Sequence, residues 1–222
     1  MRDIPIFTTS HGVASLILKE IPYKGEAYIR IQDTKQPEML LCECCDFCRA
    51  VGAERVYATG HSCLEVYPLH TAIWHMRRDR EGLSKTDAEL VPVQEENLAQ
   101  WRTLYNEKMN SVPNSSFMTV KDADKLFAEG NCYFVRRRDA LLGLGVAVGD
   151  VIAGIVSLIP GAGMDVLLAL CSALTGTSVC VEVASVNGRA TWLYEKLGFQ
   201  KIAEIARWYQ IFPCHGKILD KK

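Results

Sequence analysis

The apolar positions along this 222-residue chain recur in two rhythms, and each rhythm predicts an element. Alternating or continuous β-branched runs predict strands; apolar residues spaced by three and four predict helices. In the first third, 13–21 (VASLILKEI) and 26–32 (EAYIRIQ) are expected strands around the turn-rich Pro22-Tyr23-Lys24-Gly25. Residues 37–51 place Leu40, Leu41, Cys44, Phe47, Cys48 and Val51 at helical spacing. Strands return at 54–59 and 71–76, so the order is β-β-α-β. The polar stretch 79–88 (DREGLSKTDA) is the expected boundary, dividing the chain into 1–80, a small α/β unit, and 89–212.

The second unit opens with a short strand, 89–93, and an amphipathic helix, 95–109, whose apolar side carries Leu98, Trp101, Leu104, Tyr105 and Met109. After the irregular loop 111–117, a helix opening at Thr119 or Lys121 runs through Ala128. Strands are expected at 131–137, 140–148 and 151–159, with Arg138-Asp139 and Gly149-Asp150 as turns. Gly161-Ala162-Gly163 then leads into a helix, 164–174, that is apolar on nearly every side and so expected to be buried all round. The sheet would cover one face and either the N-terminal unit or a second subunit the other, the latter making a homodimer. A strand at 179–186 precedes Asn187, a good N-cap, and a helix that stops at Gly198. Two strands, 199–206 and 207–212, close the sheet, and 214–222 is expected to be a loose polar tail.

The stretch from Asn187 to Phe199 carries the chemistry. At ~100° per residue, Asn187, Ala190, Leu193, Tyr194 and Leu197 share one helical face, with Arg189, Trp192 and Lys196 opposite. The spacing N-x-x-A-x-x-L-Y-x-K-x-G-F, carried by Asn187, Ala190, Leu193, Tyr194, Lys196, Gly198 and Phe199, resembles the cofactor-side helix of the GNAT family of acetyl-CoA-dependent N-acetyltransferases. The resemblance covers about residues 89–212. It implies an α+β fold: a mixed, mostly antiparallel central sheet flanked by helices, here with a smaller N-terminal α/β unit that faintly resembles a degenerate second copy. It also implies that Asn187 bonds near the pantetheine arm of acetyl-CoA and that Tyr194 protonates the departing thiolate. The first two helices and their connection would wall the acceptor, making Tyr105, Asn114, Ser115, Ser116 and Phe117 candidates to meet it.

A strand, a glycine loop and a helix N-terminus in succession form a ready anion site, because free backbone N–H groups and the helix dipole favour phosphate. Gly161, Ala162 and Gly163 are therefore expected to bind the cofactor, with Arg189 adding charge. The main chain of Ile155, Val156, Ser157 and Leu158 would polarise the thioester carbonyl. This loop departs from the family pattern Q/R-x-x-G-x-G/A: its first position is Leu158, Pro160 directly precedes Gly161, and Asp165 adds negative charge in the first helical turn. Tight binding of acetyl-CoA is the property these departures put in question.

Composition narrows the picture without redirecting it. With 25 basic and 26 acidic residues the formal charge is −1, and no global field favours nucleic acid or an anionic membrane. The apolar region 140–181 is interrupted by Asp150 and Asp165, so its uncharged pieces fall short of the ~20 residues of a spanning helix. The N-terminus lacks the pattern of a signal peptide, and nine cysteines then predict reduced thiols and a cytoplasmic protein. Cys42, Cys44, Cys45 and Cys48 fall on one expected helix, which cannot surround a tetrahedral metal by itself, so no metal is expected. The reaction the GNAT resemblance implies is acetyl transfer from acetyl-CoA, as co-substrate, to a primary amine of a small molecule by direct attack. A catalytically impaired acyl-CoA binder with a regulatory role is the alternative.

Overall fold

The structure, a computed structural model, describes residues 4–212; the expected tail at 214–222 lies outside them. Two compact units are present, Met1–Ala72 with Ala206–Lys222, and Ile73–Ile205. The first contains β1 (Ile6–Thr9), β2 (Gly12–Ile17), α1 (Ile21–Lys24), β3 (Glu26–Thr34), α2 (Pro37–Ala50) and β4 (Arg55–Thr59). Strand β5 (Leu69–Asp79) leaves it for the second unit, which holds β6 (Glu89–Pro92), α3 (Glu95–Met109), α4 (Val120–Ala128), β7 (Cys132–Arg137), β8 (Ala140–Val148) and β9 (Val151–Ser157). Helix α5 (Gly163–Cys171), β10 (Ser178–Ala184), α6 (Gly188–Lys196) and β11 (Gln200–Ile211) complete the chain.

In the first unit β1, β2 and β3 are antiparallel neighbours, β3 runs parallel to β4, and β4 pairs antiparallel with the end of β11. Helix α2 buries Leu40, Leu41, Cys44, Cys45 and Cys48 against Leu16, Ile29, Val56 and Ala58, while Cys42 stays partly exposed. Burial pushes the thiols of Cys44 and Cys48 up to about 12 and about 11, so they stay protonated. The expected strand 13–21 stops at Ile17 because Pro22, with its preset φ, falls in the first turn of α1, and Gly25 at φ 66° ends that turn.

In the second unit the sheet order is β5, β10, β9, β8, β7, β6, antiparallel throughout except for the parallel pair β9–β10. Helices α3 and α4 bring Trp101, Tyr105 and Ala123 onto Phe134, Leu144, Val146 and Val156. Thr119 caps α4 by accepting from the Asp122 amide, which settles where that helix opens. Helix α5 buries every residue from Val166 to Cys171, together with Val135, Leu142, Val181 and Val183. It lies close because Gly143 and Gly145 of β8 have no side chains: a Cβ there would stand 2.6 Å from Val166 Cγ2 and 2.5 Å from Leu170 Cδ1. The expected pair of closing strands, 199–206 and 207–212, is one continuous strand, β11; nothing in Ala206-Arg207 supplies the Gly, Pro or Asn a turn would need. Among the described residues no helix is long and apolar enough to cross a membrane.

Candidate functional site: a gap between two parallel strands

Strands β9 and β10 each have seven residues, yet only two pairs join them, Val151↔Cys180 and Ile152↔Val181. The cause is one residue further along. In the β8–β9 register Ala147 faces Ile152 and Val146 faces Gly154, leaving Ala153 opposite nothing. This is a β-bulge, which bends its own strand and ends pairing on the far side. Gly154 then takes the ring of Tyr105 against its backbone; a Cβ there would sit 2.9 Å from the Tyr105 hydroxyl.

Past the bulge the hydrogen-bonding directions alternate. The Leu158 amide donates to Leu142 O at 2.9 Å, so Leu158 faces β8, and Val156 does so by the same alternation. The amides of Ile155 and Ser157 therefore point the other way, into the gap beside β10. Of the four residues expected to polarise a carbonyl, two have main-chain donors free to do it. The side chain of Val156 is buried under α3 and α4, away from the gap.

The loop after β9 is built similarly. Gly161 has φ 86°, a left-handed conformation open to Gly at no steric cost. The Ala162 amide is used within the turn, donating to Ile159 O at 3.1 Å, and its side chain is buried. The amides of Gly163, Met164 and Asp165 form the first turn of α5 and lack helical partners, so the helix end still presents donors. Asp165 is not an isolated charge: its carboxylate accepts from Thr86 Oγ1 at 2.8 Å and pairs with Arg137 at 2.8 Å, while Arg137 also binds Asp87.

Helix α6 supplies the other wall. Asn187 Oδ1 accepts from the Ala190 amide at 3.2 Å, so the side-chain oxygen caps the helix and its NH₂ keeps its donors. Arg78 donates to the Leu197 carbonyl, fixing the opposite end of the helix with a cation where the dipole favours one. Tyr194 is almost wholly buried, packed on Phe199 with ring centroids 5.5 Å apart, and burial raises its phenol to about 12.

A single cavity of about 1050 Å³ collects these groups. It is lined by Ile155, Ser157, Leu158, Gly161, Gly163, Asn187, Arg189 and Tyr194 from the sequence expectation; Val156 and Ala162 stand outside it. Lys108, Met164, Trp192 and Lys196 also line it, and the sequence reading gave none of them a binding role. On the opposite side of β10 from Val181 and Val183 stands Glu182, exposed, across from His75 of β5 and one residue beyond the last β9–β10 pair.

The chain matches no protein-family model and no curated protein sequence. Solved structures do match it. A GCN5-related N-acetyltransferase from Sphaerobacter thermophilus superposes with a TM-score of 0.62 at 12% identity over 89% of this chain and 75% of its own. A GCN5-related N-acetyltransferase from Kribbella flavida gives 0.57 at 12% identity over 99% and 93%. A functionally unknown conserved protein from Staphylococcus epidermidis gives 0.60 at 11% identity over 95% and 94%. At such identities the likeness is one of fold, and the fold of this chain is that of the GNAT acetyltransferases, a mixed, mostly antiparallel sheet flanked by helices.

Proposed function

We propose that the protein is an N-acetyltransferase that moves an acetyl group from acetyl-CoA to a primary amine of a small molecule by direct attack. The observation that carries this reading is the gap opened by the Ala153 bulge, with free amides on one side and a buried phenol on the other, in one cavity. A thioester carbonyl laid against the Ile155 and Ser157 amides gains two donors aimed where negative charge develops on attack. The helix end at Gly163 and Met164 and the NH₂ of Asn187 then hold the phosphate and amide portions of the donor.

The amine attacks as the neutral base; its nitrogen bonds to the carbonyl carbon, the C–S bond breaks, and the surplus proton leaves to water in the cavity. Tyr194 returns a proton to sulfur. At about 12 the phenol is a weaker acid than a free thiol at ~8.5, so full transfer in advance of bond breaking is uphill. The proton moves as the C–S bond opens, when the sulfur gains the charge that makes it basic. The raised phenol favours the second reading, a catalytically impaired acyl-CoA binder, as do Leu158 at the first position of the loop and the loop's shortening.

Steady-state release of CoA thiol across a panel of small amines tests the assignment. Tyr194→Phe is expected to lower kcat by about 10²-fold, the low end for a positioned acid, with acetyl-CoA affinity nearly unchanged. An equal loss of affinity without loss of kcat contradicts the acid role. Calorimetric binding with no thiol release from any amine supports the binder instead.

A further inference from the structure

The outer side of α6 is built unlike a solvated helix face. Arg189, Trp192 and Lys196 lie at i, i+3 and i+7, one stripe along the helix, and all three line the cavity. Trp192 is 60% exposed, a large apolar ring left in water with no core to join. Lys196 Nζ sits 4.7 Å from the centre of that ring, so a cation already occupies one part of the indole while most of its surface stays open. Lys108, from the end of α3, adds a third cation to the lining. Among the described residues Asp165 is the one acidic side chain in the lining, and Arg137 neutralises it. In a chain with net charge −1, this is a local concentration of positive charge around an open aromatic platform.

A ligand that satisfies such a surface has a planar ring to stack and phosphates to pair. We infer that the Arg189–Trp192–Lys196 stripe is the seat of the 3′-phosphoadenosine end of the donor: adenine stacks on Trp192, and the 3′-phosphate is held by Lys196 and Arg189. The inference rests on the acetyl-CoA reading and adds to it a nucleotide-discriminating subsite. The stripe shares its cavity with the gap and the α5 N-terminus, so a donor reaching the gap lies within one continuous space of these side chains. Exposed aromatic–base stacking is sequence-tolerant, whereas the charge pair reads whether the 3′-phosphate is present.

Calorimetric titration with acetyl-CoA, its 3′-dephospho form and S-acetylpantetheine, which lacks the nucleotide, separates the parts. The full protein is expected to prefer acetyl-CoA over the dephospho form by about tenfold at low salt, and less as salt is raised. Lys196→Gln, combined with Arg189→Gln, erases that preference. Trp192→Ala weakens both nucleotide thioesters by about tenfold and leaves S-acetylpantetheine unchanged. Glu195→Gln, an exposed change on the same helix outside the lining, alters none of them. If acetyl-CoA binds and Trp192→Ala binds it equally well, with no preference for the 3′-phosphate, the subsite is overturned and the acetyltransferase reading stands. If the wild-type protein binds none of the three thioesters, that reading fails and the subsite fails with it.

Discussion

Both units contain a parallel strand–helix–strand crossover, and the one in the second unit opens onto the cavity. In the first unit β3, α2 and β4 form it, and the two strands stay paired over five residues, from Glu26↔Arg55 to Arg30↔Thr59. In the second, β9, α5 and β10 form it, and pairing ends after two residues. Both crossover helices bury aliphatic and thiol side chains, α2 along one side and α5 at every position from Val166 to Cys171. The entries differ. Helix α2 begins at Gln36-Pro37, where proline removes an amide donor from the first turn, while α5 begins after Gly161 and keeps its free amides. A βαβ unit is therefore the frame for a site here, and the bulge with the glycine entry makes it one. The zipped pair in the first unit leaves no strand amides for a ligand.

The sharpest way to break the contrast is to disturb the packing that sets β9 apart. Gly145→Val would place methyl groups where Leu170 Cδ1 and the Gly154 carbonyl already stand, 2.5 and 2.6 Å from a Cβ. The backbone carbonyl cannot yield, so a loss of about 3 kcal/mol, the upper end for overpacking, is expected in urea unfolding. Gly161→Ala meets no neighbour within 4 Å and carries only the left-handed backbone cost, ~1–2 kcal/mol. A Gly145 variant as stable as the wild type would show that α5 does not press on β8.

Much of this arrangement was legible in the sequence, and the exceptions have physical causes. The order of elements from β3 to α6, helix α3 to the residue, the Asn187 cap and the Gly198 stop followed from periodicity and end signals, which are local; strand β1 and the short α1 were not anticipated. The bulge was missed because a strand pattern assumes an even period. Its trace is present: Ile152 and Ile155 lie three apart, and both pack on the same core. The use of the Leu158 and Ala162 amides was invisible, since main-chain bonding depends on partners rather than residue type. Trp192 and Lys196 were set aside as the outer face of a helix, a fair rule that fails when a cavity reaches that face. The quieting of Asp165 by Arg137 joins residues 28 apart in sequence, and no local signal announces it.

A smaller effect compares the two units through pH. Burial raises Cys44 and Cys48 in the first unit, to about 12 and about 11, and Cys132, Cys171, Tyr105 and Tyr194 in the second, to about 12, 11, 12 and 12. Each folded value lies above its unfolded one, ~8.5 for thiols and ~10 for phenols, so the unfolded chain releases these protons first. Their contribution is complete below about pH 8.5 and is lost as pH rises through the folded values. The urea midpoint should fall steadily from there upward. Cys44→Ala with Cys48→Ala should flatten the part of that slope belonging to the first unit, leaving acetyl-CoA binding at pH 7.5 untouched. A midpoint constant to pH 11 would mean the thiols are reached by water.

The smallest expected effect concerns the helix entry itself. Asp165 sits in the first turn of α5, where a carboxylate stabilises the dipole and repels an incoming phosphate. Arg137 and Thr86 hold it, and hydrogen bonding to Asp87 and Asp165 raises the Arg137 guanidinium further, so its charge is permanent at any working pH. Arg137→Gln leaves two acidic groups uncovered, and acetyl-CoA affinity should fall a few-fold at low salt, recovering as screening rises. Asp165→Asn removes the repulsion while an amide oxygen can still accept from Thr86, and affinity should rise by about twofold. In the double variant the penalty of losing Arg137 should shrink, because that arginine's service to the site is to cancel Asp165. Equal penalties in both backgrounds would instead mean that Arg137 acts on the donor independently of the carboxylate it covers.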